Sequence, residues 1–276
     1  MKAVIFYFSG TGNTWFISQK LKEELTKNNY KVNWYSIENS TLTNKESLVN
    51  LITESHLIII GYPTYSSNLP LPMQKFINNL PQQHNKNTAV FCTQSLSSSD
   101  GAIFIKNQLK SKGYLLQQAI HFVMTNNFYT PLAKLLPAGD YDKIAKRNKK
   151  ASKKVKYFVS KIIKNEKLTT GDNFICHLIG NSHRKNYSST IKKFNDVMYV
   201  NNKCTNCNLC VNSCPVNNIT NKNNSIQIND NCCLCMRCYN FCPTAAINIT
   251  SKSEDIVKYP RFKGPIKGFE INCLKK

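Results

Sequence analysis

Short apolar runs recur along the first half of the chain, at Ala3 to Phe8, Val32 to Ile37, Leu57 to Gly61, Ala89 to Thr93 and Ala119 to Met124. Each is nearly continuous rather than alternating, which is the pattern of a strand buried on both faces. Between them lie stretches of helical period, from Asn13 to about Asn28, Lys45 to Thr53, Pro70 to Asn79 and Gly101 to Lys112. Alternating strands and helices predict an α/β fold with a doubly wound, parallel, five-stranded sheet. Ile144, Ala151, Val155, Phe158 and Ile162 then recur at helical spacing between Asp140 and Lys164, predicting a last helix with one apolar side and one lysine-covered side. From Leu168 to Asn195 the chain turns polar and rich in glycine, asparagine and serine, which reads as an irregular connector.

The pattern changes again at Cys204. The phrase Cys204, Cys207, Cys210, Cys214, Pro215 returns as Cys232, Cys235, Cys238, Cys242, Pro243, at a constant offset of 28 positions. Met198 and Val200 precede the first phrase as Ile226 and Ile228 precede the second, and Ile219 and Ile247 follow them. Each unit therefore reads as strand, cysteine loop and short helix. The spacing C-x2-C-x2-C-x3-C-P lets three thiolates wrap one iron-sulfur cubane while the fourth reaches the neighbouring one. Two [4Fe-4S] clusters are expected, one on Cys204, Cys207, Cys210 and Cys242, the other on Cys232, Cys235, Cys238 and Cys214. Zinc sites also use C-x2-C pairs, but they do not need a run of three cysteines closed by Cys-Pro. Cys233 falls outside the register and reads as a bystander that could replace Cys232.

In doubly wound sheets ligands sit beyond the carboxyl ends of the strands. After the first run come Ser9, Gly10, Thr11, Gly12, Asn13 and Thr14. Strand, small polar loop and helix form an anion site in which backbone N–H groups, hydroxyls and a helix N-terminus act together. The loop lacks the Gly-Lys-Ser/Thr ending of a P-loop and the third glycine of a dinucleotide fingerprint. A phosphate held by hydroxyls and amides alone suits a phosphomonoester such as FMN. After the third run, Pro63, Thr64, Tyr65, Ser66, Ser67 and Asn68 read as a flavin-ring loop with Tyr65 as stacking partner, and Thr93, Gln94 and Ser95 could complete the ring site.

The first 130 or so residues resemble a flavodoxin, through Ser9 to Thr14 and Pro63 to Asn68. The cysteine phrases resemble a bacterial-type ferredoxin. Together they are similar to the flavodoxin-ferredoxin fusion proteins of anaerobes, the EFR-type ferredoxin family. The resemblance implies a flavodoxin-like FMN domain at 1–165, a connector at 166–196, a small α+β two-cluster ferredoxin domain at 197–250 and a wrapping tail at 251–276. It also implies electron transfer between the clusters and FMN. One departure is that residues 93–101 contain no second aromatic for the ring.

Twelve cysteines could suggest a secreted disulfide scaffold, but eight belong to the phrases and Cys92, Cys176, Cys233 and Cys273 stand alone, so a reducing compartment is expected. No apolar stretch approaches the roughly 20 residues of a spanning helix. Ala3 to Phe8 is too short for a signal core, and a cytoplasmic protein without a membrane span is expected. The net charge of +22 suits an acidic redox partner such as a ferredoxin or a reductase, or else reflects a lysine- and asparagine-rich composition. No nucleic-acid reader motif accompanies it. The residues form no general acid or base constellation, so no catalytic side chain is assigned. The other reading is an FMN-dependent reductase of a quinone, nitro compound or disulfide, fed by the clusters.

Overall fold

In the computed structural model, which describes residues 1–132 and 140–276, strand and helix alternate from the start of the chain. The order is β1 (Lys2–Tyr7), α1 (Asn13–Lys27), β2 (Lys31–Ser36), α2 (Lys45–Glu54), β3 (Leu57–Pro63), α3 (Leu71–Asn78), β4 (Lys86–Gln94), α4 (Lys106–Ser111), β5 (Tyr114–Val123), α5 (Tyr141–Ile163) and β6 (Leu168–Thr169). The strands form one sheet in the order β2-β1-β3-β4-β5-β6, every neighbouring pair parallel. This is the doubly wound, flavodoxin-like arrangement, with the direction of winding reversing between β1 and β3. The sheet has six strands rather than the expected five. β6 is two residues long and lies beyond residue 165, inside the stretch read as connector; a strand so short carries no apolar run to betray it.

The continuous apolar runs are explained by burial on both faces. Ile5, Tyr7, Ile59, Phe91 and Phe122 pack on one side against Phe16, Ile17 and Leu21 of α1 and Val155 and Phe158 of α5. Val4, Phe6, Ile58, Ile60 and Val90 face the other side, against Ile52 of α2, Met73 and Ile77 of α3 and Leu109 of α4. Each such side chain contributes about 1.5–3 kcal/mol by leaving water.

From Phe174 onward the stretch read as connector is mostly helical. α6 (Phe174–Lys185) starts at Asn173, whose side chain accepts from the Cys176 N–H, and α7 (Tyr187–Val197) buries Tyr187 and Phe194. Then follow β7 (Met198–Val200), α8 (Leu209–Ser213), β8 (Ile219–Lys222), β9 (Ser225–Ile228), α9 (Arg237–Phe241) and β10 (Ile247–Ile249). β7 pairs with β10 and β8 with β9, both antiparallel. The strand opening each repeat thus pairs with the strand closing the other, which interleaves the two units.

The tail runs over both parts of the molecule. The Phe262 N–H donates to Asn240 Oδ1 in α9, Asn148 Nδ2 of α5 donates to the Pro265 carbonyl, and the Ser36 N–H at the end of β2 donates to the Lys276 carbonyl. Among the described residues no helix is long and apolar enough to cross a membrane.

Candidate cofactor sites

A cavity of about 220 Å3 lies beyond the carboxyl ends of β1, β3, β4 and β5. Ser9, Gly10, Thr11, Asn13 and Thr14 line it from the first loop, Pro63, Thr64, Tyr65 and Ser66 from the second, and Thr93, Gln94 and Ser95 from the third. Three of the residues expected there lie outside the lining and act on loop shape. Gly12, at φ 109°, has Pro265 and Phe269 of the tail where a side chain would go. Ser67 is buried with its hydroxyl 2.9 Å from His183 Nδ1 of α6. Asn68 closes a backbone bridge with Tyr65, and its Oδ1 accepts from the Leu69 N–H.

The first loop is tied in place from several directions. Ser9 Oγ accepts from the Gly12 N–H, and Thr14 Oγ1 lies 2.9 Å from Thr93 Oγ1 of the third loop. α1 begins at Asn13, so its first N–H groups have no intrahelical acceptor and face the loop with the positive end of the helix dipole.

A fourth segment, missed in the sequence, follows β5. Asn13 Nδ2 donates to the Thr125 carbonyl and Asn127 Nδ2 to Thr11 Oγ1, so residues 125–127 lie directly against the first loop. Thr125, Asn126, Asn127 and Phe128 line the cavity, together with Tyr187 and Thr190 of α7 and Leu234 and Met236 of the second cysteine loop. The rule that ligands lie beyond strand ends would have pointed to residues 125–128; nothing local pointed to the other four. The aromatic wall absent from residues 93–101 is supplied by Phe128 and Tyr187. The hydroxyls of Tyr65, Thr125 and Tyr187 are buried without a hydrogen-bond partner.

The cysteines divide between two further cavities. Cys204, Cys207, Cys210 and Cys242 border one. Cys214, Cys232, Cys235 and Cys238 border the other, with Cys233 beside them. Cys214 and Cys242, the last of each phrase, have therefore crossed to the opposite repeat, as the interleaved strands require. Among the described residues no three His, Cys, Asp or Glu are placed to hold a single metal ion. Cys233 is buried and packs with the apolar layer of the α/β sheet. A hydrogen bond from Cys233, and further the Arg237 charge, hold the Cys235 thiol below its ordinary value against the opposing effect of burial.

Two arginines join the parts. Arg184 of α6 forms a bidentate pair with buried Asp100, Nη1–Oδ1 2.7 Å and Nη2–Oδ2 2.8 Å, and also donates to the Ser67 carbonyl. His177 Nδ1 lies 3.1 Å from the same carboxylate. Arg237, within the second cysteine phrase, reaches Ser9, Gly10 and Glu38 of the α/β domain. Gly10 has no room for a side chain, because a Cβ would lie 2.5 Å from the Tyr65 hydroxyl and 2.7 Å from the Cys235 carbonyl.

Comparison with known proteins finds likenesses for both halves. Two 4Fe-4S binding domain families match residues 197–220 and 229–245, each enclosing one cysteine phrase. No curated protein matches the sequence. A solved flavodoxin from the domain Archaea is similar at 19% identity over 59% of this chain and 99% of its own, with a TM-score of 0.40. Flavodoxin 2 from Bacillus cereus is similar at 21% identity over 58% of this chain and 99% of its own, with a TM-score of 0.39. A flavodiiron core from Synechocystis is similar at 20% identity over 60% of this chain and 37% of its own, with a TM-score of 0.42. At such similarity the fold class stands on the strand order and parallel register. The chain joins a doubly wound α/β sheet of flavodoxin-like strand order to a segment that matches 4Fe-4S binding domains.

Proposed function

We propose that the protein is an electron carrier passing electrons between two [4Fe-4S] clusters and one FMN. The observation that carries this reading is a single cavity bordered both by the strand-end loops of the sheet and by the second cysteine loop, through Leu234 and Met236. The residues suit FMN: a loop of hydroxyls and amides at a helix N-terminus for the phosphate, aromatic walls for the ring, and three buried hydroxyls lacking partners. When bound, the flavin supplies one- and two-electron chemistry and the clusters one-electron chemistry.

Ser9, Gly10, Thr11, Asn13 and Thr14 would hold the phosphate, with Gly12 shaping the loop, and Tyr65, Phe128 and Tyr187 would flank the ring. Leu234 and Met236 exclude water on the side of the clusters. Cys204, Cys207, Cys210 and Cys242 would ligate one cluster, and Cys214, Cys232, Cys235 and Cys238 a second, whose loop also borders the cavity of the sheet. The first cysteine loop is the port for the partner. Cys207 is exposed there, and so are Lys203 and Lys222, with Asn221 Nδ2 donating to Asn208 Oδ1 of the loop. An acidic redox protein fits this side, and its encounter rate falls with added salt.

The test is anaerobic purification with iron, sulfide and flavin measured per chain. About eight iron, eight sulfide and one FMN are expected. Eight iron without flavin, and none taken up on adding FMN, would overturn the flavin half of the reading.

A further inference from the structure

We propose that Arg237, a residue of the second cysteine phrase, positions the phosphate-binding loop of the α/β domain, so that an ordered second cluster loop sets the affinity for the flavin's phosphate. The inference rests on the FMN reading above. Arg237 is 1% exposed, and all five of its N–H donors are used. Nε donates to the Gly10 carbonyl at 3.1 Å and Nη2 to the Ser9 carbonyl at 2.7 Å. Nη1 donates to the Ser213 carbonyl of α8 at 2.9 Å, and both Nη atoms engage the Glu38 carboxylate. The fork is thus saturated, a geometry that a lysine cannot reproduce.

The two carbonyls matter because of what lies across their peptide planes. In a trans peptide the C=O and the following N–H point in opposite directions. With the Ser9 and Gly10 carbonyls drawn to Arg237, the N–H groups of Gly10 and Thr11 are turned away from it, toward the cavity that Gly10 and Thr11 line and Arg237 does not. Both amides then add to those at the start of α1, making a concave set of donors for an anion. Local geometry does not impose this. Gly10 has no Cβ and tolerates a flipped peptide at little cost, so the orientation has to come from outside the loop. The clusters do not require the arginine either, since the equivalent position of the first phrase, 28 residues earlier, is Leu209.

The test compares FMN with riboflavin, which lacks the phosphate, binding to the full-length, cluster-loaded chain by quenching of flavin fluorescence. In Arg237→Lys the FMN Kd is expected to rise about tenfold to a hundredfold. The riboflavin Kd should change by less than about threefold, with iron per chain unchanged. Equal weakening of the two ligands, or of neither, overturns the inference, since a residue that only holds the domains together would not distinguish them. Should Arg237→Lys lose iron, Glu38→Gln, outside the cysteine phrase, carries the same readout. It frees one side of the guanidinium and is expected to lower the FMN preference about threefold to tenfold, and an unchanged preference overturns the inference. A wild-type chain that binds neither flavin sinks the FMN reading and this inference with it. One that binds FMN and riboflavin equally well leaves the FMN pocket standing and overturns the role of Arg237.

Discussion

Asn206 and Asn208 in the first cysteine loop, and Leu234 and Met236 at the same places in the second, share one backbone conformation, with φ of 53°, 59°, 53° and 62°. Asparagine visits this left-handed region readily, whereas for leucine or methionine it costs about 1–2 kcal/mol. The surroundings account for the difference. The first loop is half-buried to exposed, while residues 233–237 are buried throughout. Leu234 and Met236 pack with Phe128, Phe194 and Tyr239 and face the cavity of the α/β sheet. Side chains of the first loop suit the local backbone; those of the second suit a distant part of the chain, and their burial offsets the local cost. The two loops of the repeat therefore differ in their surroundings, one facing solvent and the other the interior.

The widest gap between the loops is expected when one ligand is removed from each. Cys207→Ser should lower iron from about eight to about four per chain and leave FMN binding as in the wild type. Cys235→Ser should lower iron similarly and weaken FMN binding as well, because its loop forms one wall of the cavity and carries Arg237. Equal flavin affinity in the two variants, measured beside iron content, would erase the distinction.

A control inside the sheet comes next in size. Burial, with a smaller contribution from Lys154, lowers the His121 pKa to about 4, against the opposing pull of Asp100. The neutral ring accepts the Ala102 N–H at Nε2 and meets Thr170 Oγ1 at Nδ1. The unfolded chain binds this proton near pH 6.5 and the folded chain does not, so stability is full above that pH and is lost as pH falls toward 4. The loss is on the order of 3 kcal/mol. In His121→Gln, denaturation measured between pH 7 and 4 should show a shallower decline than the wild type. A slope that follows cluster loss and not this substitution would place the acid sensitivity in the cysteine loops.

Exchanging residues between the loops gives the smallest and most specific effects. Leu234→Asn relieves the left-handed backbone but removes a buried side chain, for a net loss of about 2 kcal/mol. Asn206→Leu introduces the backbone cost without interior contacts and should cost about 1 kcal/mol. Denaturant titration of both settles the order. Stabilisation by Leu234→Asn would mean that the interior contacts do not offset the strain.

Much of this organisation was legible in the chain. β1, β3, β4 and β5 followed from continuous apolar runs, because a strand covered on both faces leaves no polar alternation, whereas β2, half-buried at the sheet's edge, followed from its place in the alternation of strands and helices. The two cysteine phrases carried their own spacing, and the loop at Ser9 to Thr14 was marked by its place between strand and helix. β6 was too short to have a pattern. α6 was hidden by exposed apolar residues, Phe174, Ile175 and Leu178, among glycine, asparagine and serine, so no one-sided period announced it. Residues 125–128 follow β5 directly and the strand-end rule would have reached them, whereas Tyr187 entered the cavity from a helix far away in sequence.

What the sequence alone determined was therefore local: which segments extend, which coil, and which cysteines share a loop, since periodicity and spacing act over a few residues. Only the tertiary structure decided that one cysteine loop closes the cavity of the sheet while its twin stays outside, and that Arg237 meets Ser9 and Gly10 across more than 220 positions. Those contacts join groups whose distance along the chain says nothing of their distance in space, and a buried guanidinium is satisfied only where the fold gathers enough acceptors around it.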